Sequence, residues 1–136
     1  MGAPRTAGSV QAQPRPGSLP RVLVVDDDAA VQRLLRMVLE HQGYVVDCAA
    51  NGREALDKID GDPPGLVVLD LMMPVMDGWE VLNRLRRRAR RPPVIVVSAA
   101  TDSADALDKG AVAVVRKPFS HASLLDACAQ ALGKQP

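Results

Sequence analysis

Short apolar runs alternate with amphipathic segments along most of this chain. Five runs, at 22–25, 44–49, 66–69, 94–98 and 113–117, have the length and the β-branched composition of buried strands. The segments between them repeat apolar residues every three or four positions, the spacing of a helix face, as in Val31, Leu34, Leu35, Val38 and Leu39. Strands that alternate with helices predict an α/β domain in which a doubly wound parallel sheet is covered on both faces.

Polar residues at the helix ends support this division of the chain. Asn51 with Glu54, and Asp77 with Glu80, have the spacing of a capping box, which predicts that helices begin there. The fourth predicted helix, around 103–109, is short.

The first twenty residues differ in composition from the rest. Residues 1–20 contain four prolines and no apolar periodicity, which predicts a disordered tail before a single domain over 21–134. The net charge of +1 argues against bulk attraction to nucleic acid or an anionic membrane, and no apolar run is long enough to span a bilayer. Cys48 and Cys128 lie in apolar periodic segments and are interpreted as reduced core residues of a cytoplasmic protein.

Chemically active side chains follow four of the predicted strands. They are Asp26, Asp27 and Asp28 after the first strand, Asp70 after the third, Ser98 at the end of the fourth and Lys117 at the end of the fifth. In open α/β sheets the ligand site lies outside the carboxyl ends of the strands, so these side chains are expected to meet.

The types of these residues indicate phosphoryl chemistry. Several carboxylates at one rim need a proton or a cation, and oxygen ligands without His or Cys suit Mg²⁺. Lys117 and Ser98 could stabilise the oxygens of a phosphoryl group, and Asp70 is then a candidate nucleophile that forms an aspartyl phosphate. A simpler interpretation also exists for two of the residues: Asp28 as a helix cap and Lys117 as a solvated side chain.

With these residues identified, the chain resembles the receiver domain of two-component response regulators. The resemblance covers about 21–134 and rests on the segments VLVVDDD (22–28), VVLDLMMPVMDGWE (67–80), VIVVSA (94–99) and VVRKPF (114–119). It implies a flavodoxin-like sheet with strand order 2-1-3-4-5. It also implies a signalling switch that catalyses only its own phosphorylation and dephosphorylation, with a sensor histidine kinase or phosphotransfer protein and a downstream protein as partners.

The resemblance assigns the metal site residue by residue. It implies that Asp70 is the phosphoacceptor and that Asp26 and Asp27 are the acidic pair, with Asp27 as the direct Mg²⁺ ligand and Asp26 acting largely through water. The backbone carbonyl of Met72 would complete the protein ligands.

It also assigns the residues that contact the phosphoryl group. Ser98 would donate a hydrogen bond to that group and move on activation, and Lys117 would bind it. Pro118 would follow a cis peptide bond.

The chain departs from the family pattern at three places. Val114 occupies the second switch position, where the family often has an aromatic residue, so aromatic gating is not expected. The segment 98–110 is about one helical turn short, which predicts a truncated fourth helix or preceding loop. Met72 and Ala100 are apolar at the positions that tune dephosphorylation, and neither can orient water through a hydrogen bond, which predicts slow self-dephosphorylation.

Two other functions fit parts of the sequence. A phosphohydrolase of the haloacid-dehalogenase type would use the Asp-x-Asp of Asp26 and Asp28, although no later acidic metal motif is present. A pseudo-receiver would act as an adaptor without phosphorylation. The arginines of 84–91 fit a solvated helix end or a docking patch for an acidic partner, and binding of nucleic acid or membrane by this domain is not expected.

Overall fold

The sheet has five parallel strands in the order β2-β1-β3-β4-β5, as expected. The computed structural model of the protein describes residues 19–99 and 105–133. The strands are β1 (Arg21–Val25), β2 (Val45–Ala49), β3 (Leu66–Leu69), β4 (Val94–Ser98) and β5 (Ala113–Arg116). The helices are α1 (Ala29–Gln42), α2 (Gly52–Gly61), α3 (Gly78–Arg86), α4 (Asp105–Asp108) and α5 (His121–Gly133).

Two hydrophobic cores lie on the two faces of the sheet. Successive residues of β1 point to opposite faces, so Val22 and Val24 join one core while Leu23 and Val25 join the other. Helices α1 and α5 cover the first core, and α2, α3 and α4 cover the second. Because the central strands are buried on both sides, polar side chains are confined to the strand ends.

Each predicted capping box forms one of its two expected hydrogen bonds. The side chains of Asn51 and Asp77 each accept a hydrogen bond from the amide three residues on, at 2.9 and 3.0 Å. In a capping box the glutamate also accepts a hydrogen bond from the amide of the cap residue. Here Glu54 accepts instead from the amide one residue before the cap, and Glu80 accepts from the Nε of Arg84. The helix starts were therefore predicted correctly, but each glutamate has another partner.

Several arginines of 84–91 bind groups of their own domain. Arg84 pairs with Glu80 at 2.8 Å, and Arg88 pairs with Asp60. Arg91 donates to two backbone carbonyls near the end of α3, those of residues 86 and 88, at 3.0 and 3.2 Å. These contacts favour the interpretation as a charged helix end.

The two cysteines differ in burial. Cys128 is buried in the first core as predicted, whereas Cys48 is only half-buried, and both are free thiols.

Leu19, which was predicted to belong to the disordered tail, packs against the first core. Residues 1–18 of that tail, the start of the fourth helix predicted around 103–109, and Ala100 before it lie outside the described residues. Within the described ranges, every helix is too short or too polar to cross a bilayer.

Candidate functional site

The first and third strands end side by side in aspartates. Val25 pairs with Leu69 in the parallel ladder, so the residues that follow them, Asp26 and Asp70, emerge next to each other. The amide of Asp70 donates to the carbonyl of Val25 at 2.9 Å, and the amide of Asp26 donates to the carbonyl of Ala49 on β2 at 3.1 Å. The backbone of both aspartates is therefore fixed by the sheet itself.

Three carboxylates form what we call the acidic cluster: Asp26, Asp27 and Asp70. One ligating oxygen of each lies within 4.8 Å of the others. Asp26 is only 1% exposed and Asp70 only 7%, whereas Asp27 is exposed. Hard divalent cations prefer such oxygen donors, and Mg²⁺ typically uses one or two carboxylates while it keeps several waters. The donor set and its opening toward solvent at Asp27 fit that ion.

Lys117 brings a positive charge to the acidic cluster. Its Nζ lies 2.9 Å from Oδ2 of Asp26 and 3.8 Å from Oδ1 of Asp70. Its amide donates to the carbonyl of Ser98 at 3.1 Å, which holds the end of β5 against the end of β4. The peptide bond between Lys117 and Pro118 is cis.

Asp70 has a perturbed acidity. Burial raises the pKa of its carboxyl group, and the negative charge of Asp26 raises it further. The charge of Lys117 and the amide of Met72, which donates to Oδ1 of Asp70 at 3.4 Å, lower the pKa in part. The net pKa is above the ordinary value. A cation bound to the acidic cluster would favour the ionised form.

The loop after Asp70 returns closely to the end of β3. The amide of Gly78 donates to the carbonyl of Leu71 at 2.9 Å, and a Cβ atom at Gly78 would lie 2.3 Å from the backbone oxygen of Asp70. Only glycine fits there without displacing that backbone. Met72 is exposed, with a relative accessibility of 66% for the residue.

The two expected switch positions lie on neighbouring strands. Ser98 ends β4 and is completely buried. Val114 lies on β5 opposite Val96, half-buried against the second core. Ser98 therefore lies on the strand next to that of Asp70, and Val114 lies one strand further out.

Asp28 lies outside the acidic cluster and has a structural role. Its Oδ1 accepts hydrogen bonds from the amides of Ala30 and Val31, at 2.8 and 3.3 Å, and so caps α1. The simpler interpretation of this residue is correct.

One polar residue next to the site was not recognised from the sequence. Gln32 on α1 donates through Nε2 to the carbonyls of Asp26 and Ala49, at 2.6 and 3.2 Å. The available signal was its spacing from Leu35 and Leu39, which places it on the buried face of α1.

Comparison with known proteins shows the family to which the chain belongs. The family model described as the response regulator receiver domain matches residues 22–129. The chain belongs to this family. It is a receiver domain of two-component signalling, a family to which phosphorylation of an aspartate is inherent and whose members are typically signalling switches rather than enzymes.

The receiver domain has curated relatives and solved neighbours. Response regulator MprA of Mycolicibacterium vanbaalenii is 46% identical over 108 residues, which are 77% of this chain and 47% of that protein. The chain thus spans about half the length of the curated relatives that it matches. A CheY-like response regulator receiver domain protein from Methanospirillum hungatei is 32% identical with a TM-score of 0.80, covering 86% of this chain and 96% of that one. A response regulator structure from Chloroflexus aurantiacus, described as putative, has the same identity and TM-score, covering 85% and 98%.

Proposed function

We propose that Asp70 accepts a phosphoryl group from a phosphohistidine of a sensor histidine kinase or phosphotransfer protein. The observation that carries this proposal is the acidic cluster with Lys117 at one edge of the sheet. An oxygen of Asp70 attacks phosphorus, and the nitrogen–phosphorus bond breaks. The electron pair returns to the histidine nitrogen, which takes up a proton.

The residues around Asp70 have distinct proposed roles. Asp26, Asp27, Asp70 and the carbonyl of Met72 would hold Mg²⁺, which supplies positive charge to offset the negative oxygens during transfer. Lys117 contacts the transferred group, and its distance of 3.8 Å from Asp70 supports this role. Ser98 donates a hydrogen bond to the same group.

Phosphorylation is proposed to change the binding of a downstream protein. The change begins at Ser98 and continues along β5 to the surface of α4 and α5. Because Val114 has no ring to swing inward, the response depends on Ser98 and the segment between β4 and α4. The proposed location is the cytoplasm, where the two free thiols would remain reduced.

The direct test is incubation with acetyl phosphate and Mg²⁺, followed by intact mass and acid lability of the adduct. We expect one phosphoryl group on the wild type, none on Asp70→Asn, and a reduced amount on Asp26→Asn. A phosphohydrolase of the haloacid-dehalogenase type, which the family match does not favour, would instead lose the adduct in Asp26→Asn.

Asp28→Asn is the matched control. It removes a neighbouring carboxylate but keeps the helix cap, because asparagine caps as well as aspartate does, so labelling should persist. A wild type that neither binds Mg²⁺ with beryllofluoride nor accepts phosphate would support the pseudo-receiver instead.

A further inference from the structure

The side chain of Gln32 ties α1 to the ends of two strands. Nε2 donates to the carbonyl of Asp26 at 2.6 Å and to that of Ala49 at 3.2 Å. The backbone amide of Gln32 donates to the carbonyl of Asp28 at 2.9 Å. One half-buried residue thus joins the helix, the end of β1 and the end of β2 at the position of the acidic cluster.

These bonds fix the peptide unit from which Asp27 projects. The carbonyl of Asp26 and the amide of Asp27 belong to the same planar unit, so a hydrogen bond to that carbonyl restricts rotation of the whole unit. On the other side of Asp26, its amide is held by the carbonyl of Ala49 at 3.1 Å. The exposed side chain of Asp27 forms no hydrogen bond or ion pair within the described part of the chain. Its position in the acidic cluster therefore depends on the backbone.

A neutral amide suits this position chemically. The NH₂ group of glutamine offers two donors for two carbonyl acceptors and adds no charge. A carboxylate at this position would repel both carbonyls instead of binding them.

We propose that Gln32 is a positioning residue for Mg²⁺ binding, because it holds the Asp26–Asp27 peptide in the orientation that the acidic cluster requires. The inference rests on the proposed function only in assigning Mg²⁺ to the acidic cluster. Gln32 acts through Asp26 and Asp27 and does not itself touch the metal or the phosphoryl group.

The test is Gln32→Met, which keeps an unbranched side chain of similar length and removes both donors. We expect the Mg²⁺ dissociation constant, measured by titration calorimetry, to rise about five- to tenfold, or about 1 to 1.4 kcal/mol. Phosphorylation by acetyl phosphate should slow when Mg²⁺ is limiting and approach the wild-type rate at saturating Mg²⁺. The amide of Gln32→Asn is one methylene too short to reach the two carbonyls, so this variant should also weaken Mg²⁺ binding. It replaces Gln32→Met in the test if that variant does not fold.

Arg36→Met is a matched control one turn further along α1. Arg36 also donates from α1 to a carbonyl of β2, that of Val46, at 2.8 Å. Loss of this bond should lower stability to a similar extent and leave Mg²⁺ affinity unchanged. The amide of Asp28 donates to Oδ1 of Asp26 at 2.9 Å, so it reports on the same peptide as the amide of Asp26. In the metal-free protein, exchange of both amide hydrogens should accelerate in Gln32→Met and not in Arg36→Met.

Failure of this inference can be separated from failure of the proposed function. If acetyl phosphate labels Asp70 in the wild type while Gln32→Met binds Mg²⁺ as tightly as the wild type, the positioning role is overturned alone. Equal weakening in Arg36→Met would also overturn it. If Gln32→Met weakens Mg²⁺ binding selectively while acetyl phosphate labels neither protein, the positioning role stands and the proposed function fails.

Discussion

Lys117 and Asp26 form an ion pair of 2.9 Å, although they lie 91 residues apart in the chain. Asp26 is almost fully buried, and burying its charge would be costly without this partner. The same ammonium group is 3.8 Å from Asp70. Without a divalent cation, Lys117 is therefore the charge that offsets the acidic cluster, and a metal ion must bind in its presence.

Replacing Lys117 should have opposite effects on metal binding and on stability. In Lys117→Gln, we expect Mg²⁺ to bind about three- to tenfold more tightly, because a nearby positive charge is removed. In EDTA the free energy of unfolding should fall by about 2 kcal/mol, since Asp26 loses its partner. Calorimetry and urea unfolding measure the two quantities. Weaker Mg²⁺ binding in this variant would contradict the offsetting role.

Mg²⁺ should stabilise the folded protein through the acidic cluster. A cation that binds only the folded state at ten times its dissociation constant adds about 1.4 kcal/mol to the free energy of unfolding. Urea unfolding, followed through the fluorescence of Trp79, should show this gain on addition of Mg²⁺ and its loss on addition of EDTA. Asp27→Asn should lose most of the gain and Asp28→Asn should keep it, and an equal gain in both variants would place the ion elsewhere.

Met72 is expected to make the phosphorylated state long-lived. Its side chain is exposed beside Asp70 but offers no donor or strong acceptor to orient an attacking water. Met72→Asn should shorten the lifetime of the phosphoryl group by about an order of magnitude, as followed by loss of the mass adduct after removal of acetyl phosphate. A wild-type half-life of only seconds would contradict the expectation of slow dephosphorylation.

The fold was largely predictable from the sequence because burial of a strand or a helix face gives apolar residues a regular spacing. The run 66–69 is apolar throughout because β3 is covered on both faces, and Gly43 ends α1 with a φ of 114°, in the left-handed region that favours glycine. The strand order could not be read from periodicity, which is local, and was predicted only through the resemblance to receiver domains.

The sequence predicted that Asp26, Asp27, Asp70 and Lys117 would lie together, but not how they are arranged. Asp26 and Asp27 are identical neighbours, so the pattern alone cannot say which of them is buried. The structure buries Asp26 against Lys117 and leaves Asp27 exposed. Gln32 was missed because a hydrogen bond between a helix side chain and strand carbonyls depends on how the helix packs, which no local pattern specifies.

Val75 is a strained residue in the loop after Asp70. It has a positive φ of 70°, which is unfavourable for a β-branched residue, and the residue is 80% exposed, so little packing opposes a change. Val75→Asn should raise the free energy of unfolding by about 1 kcal/mol, because asparagine tolerates this region better. Urea unfolding checks this value. Val75→Ala, which keeps a Cβ but loses the branch, should gain less, and no gain in Val75→Asn would argue against strain at this position.

Cys128 should make the stability of the protein fall at alkaline pH. Burial raises the pKa of its thiol from 9.0 to about 12. Above pH 9 the unfolded chain releases this proton while the folded protein retains it, so stability is lost as pH rises from about 9 toward 12. At pH 10.5 the loss from this group is about 2 kcal/mol. Cys128→Ala should be about 1 kcal/mol less stable than the wild type at pH 8, because a small cavity replaces the sulfur.

The free energies of unfolding of the wild type and Cys128→Ala should therefore cross between pH 8 and 10.5. Cys48→Ala is the control for the chemistry of a thiol that is only half-buried, and its difference from the wild type should change less over the same range. Burial also raises the pKa of Tyr44, and because folded Cys128 stays neutral over this range, the alkaline loss at Tyr44 should be common to the wild type and both variants. Parallel curves for the wild type and Cys128→Ala would mean that the thiol is accessible to hydroxide in the folded state, contrary to its complete burial.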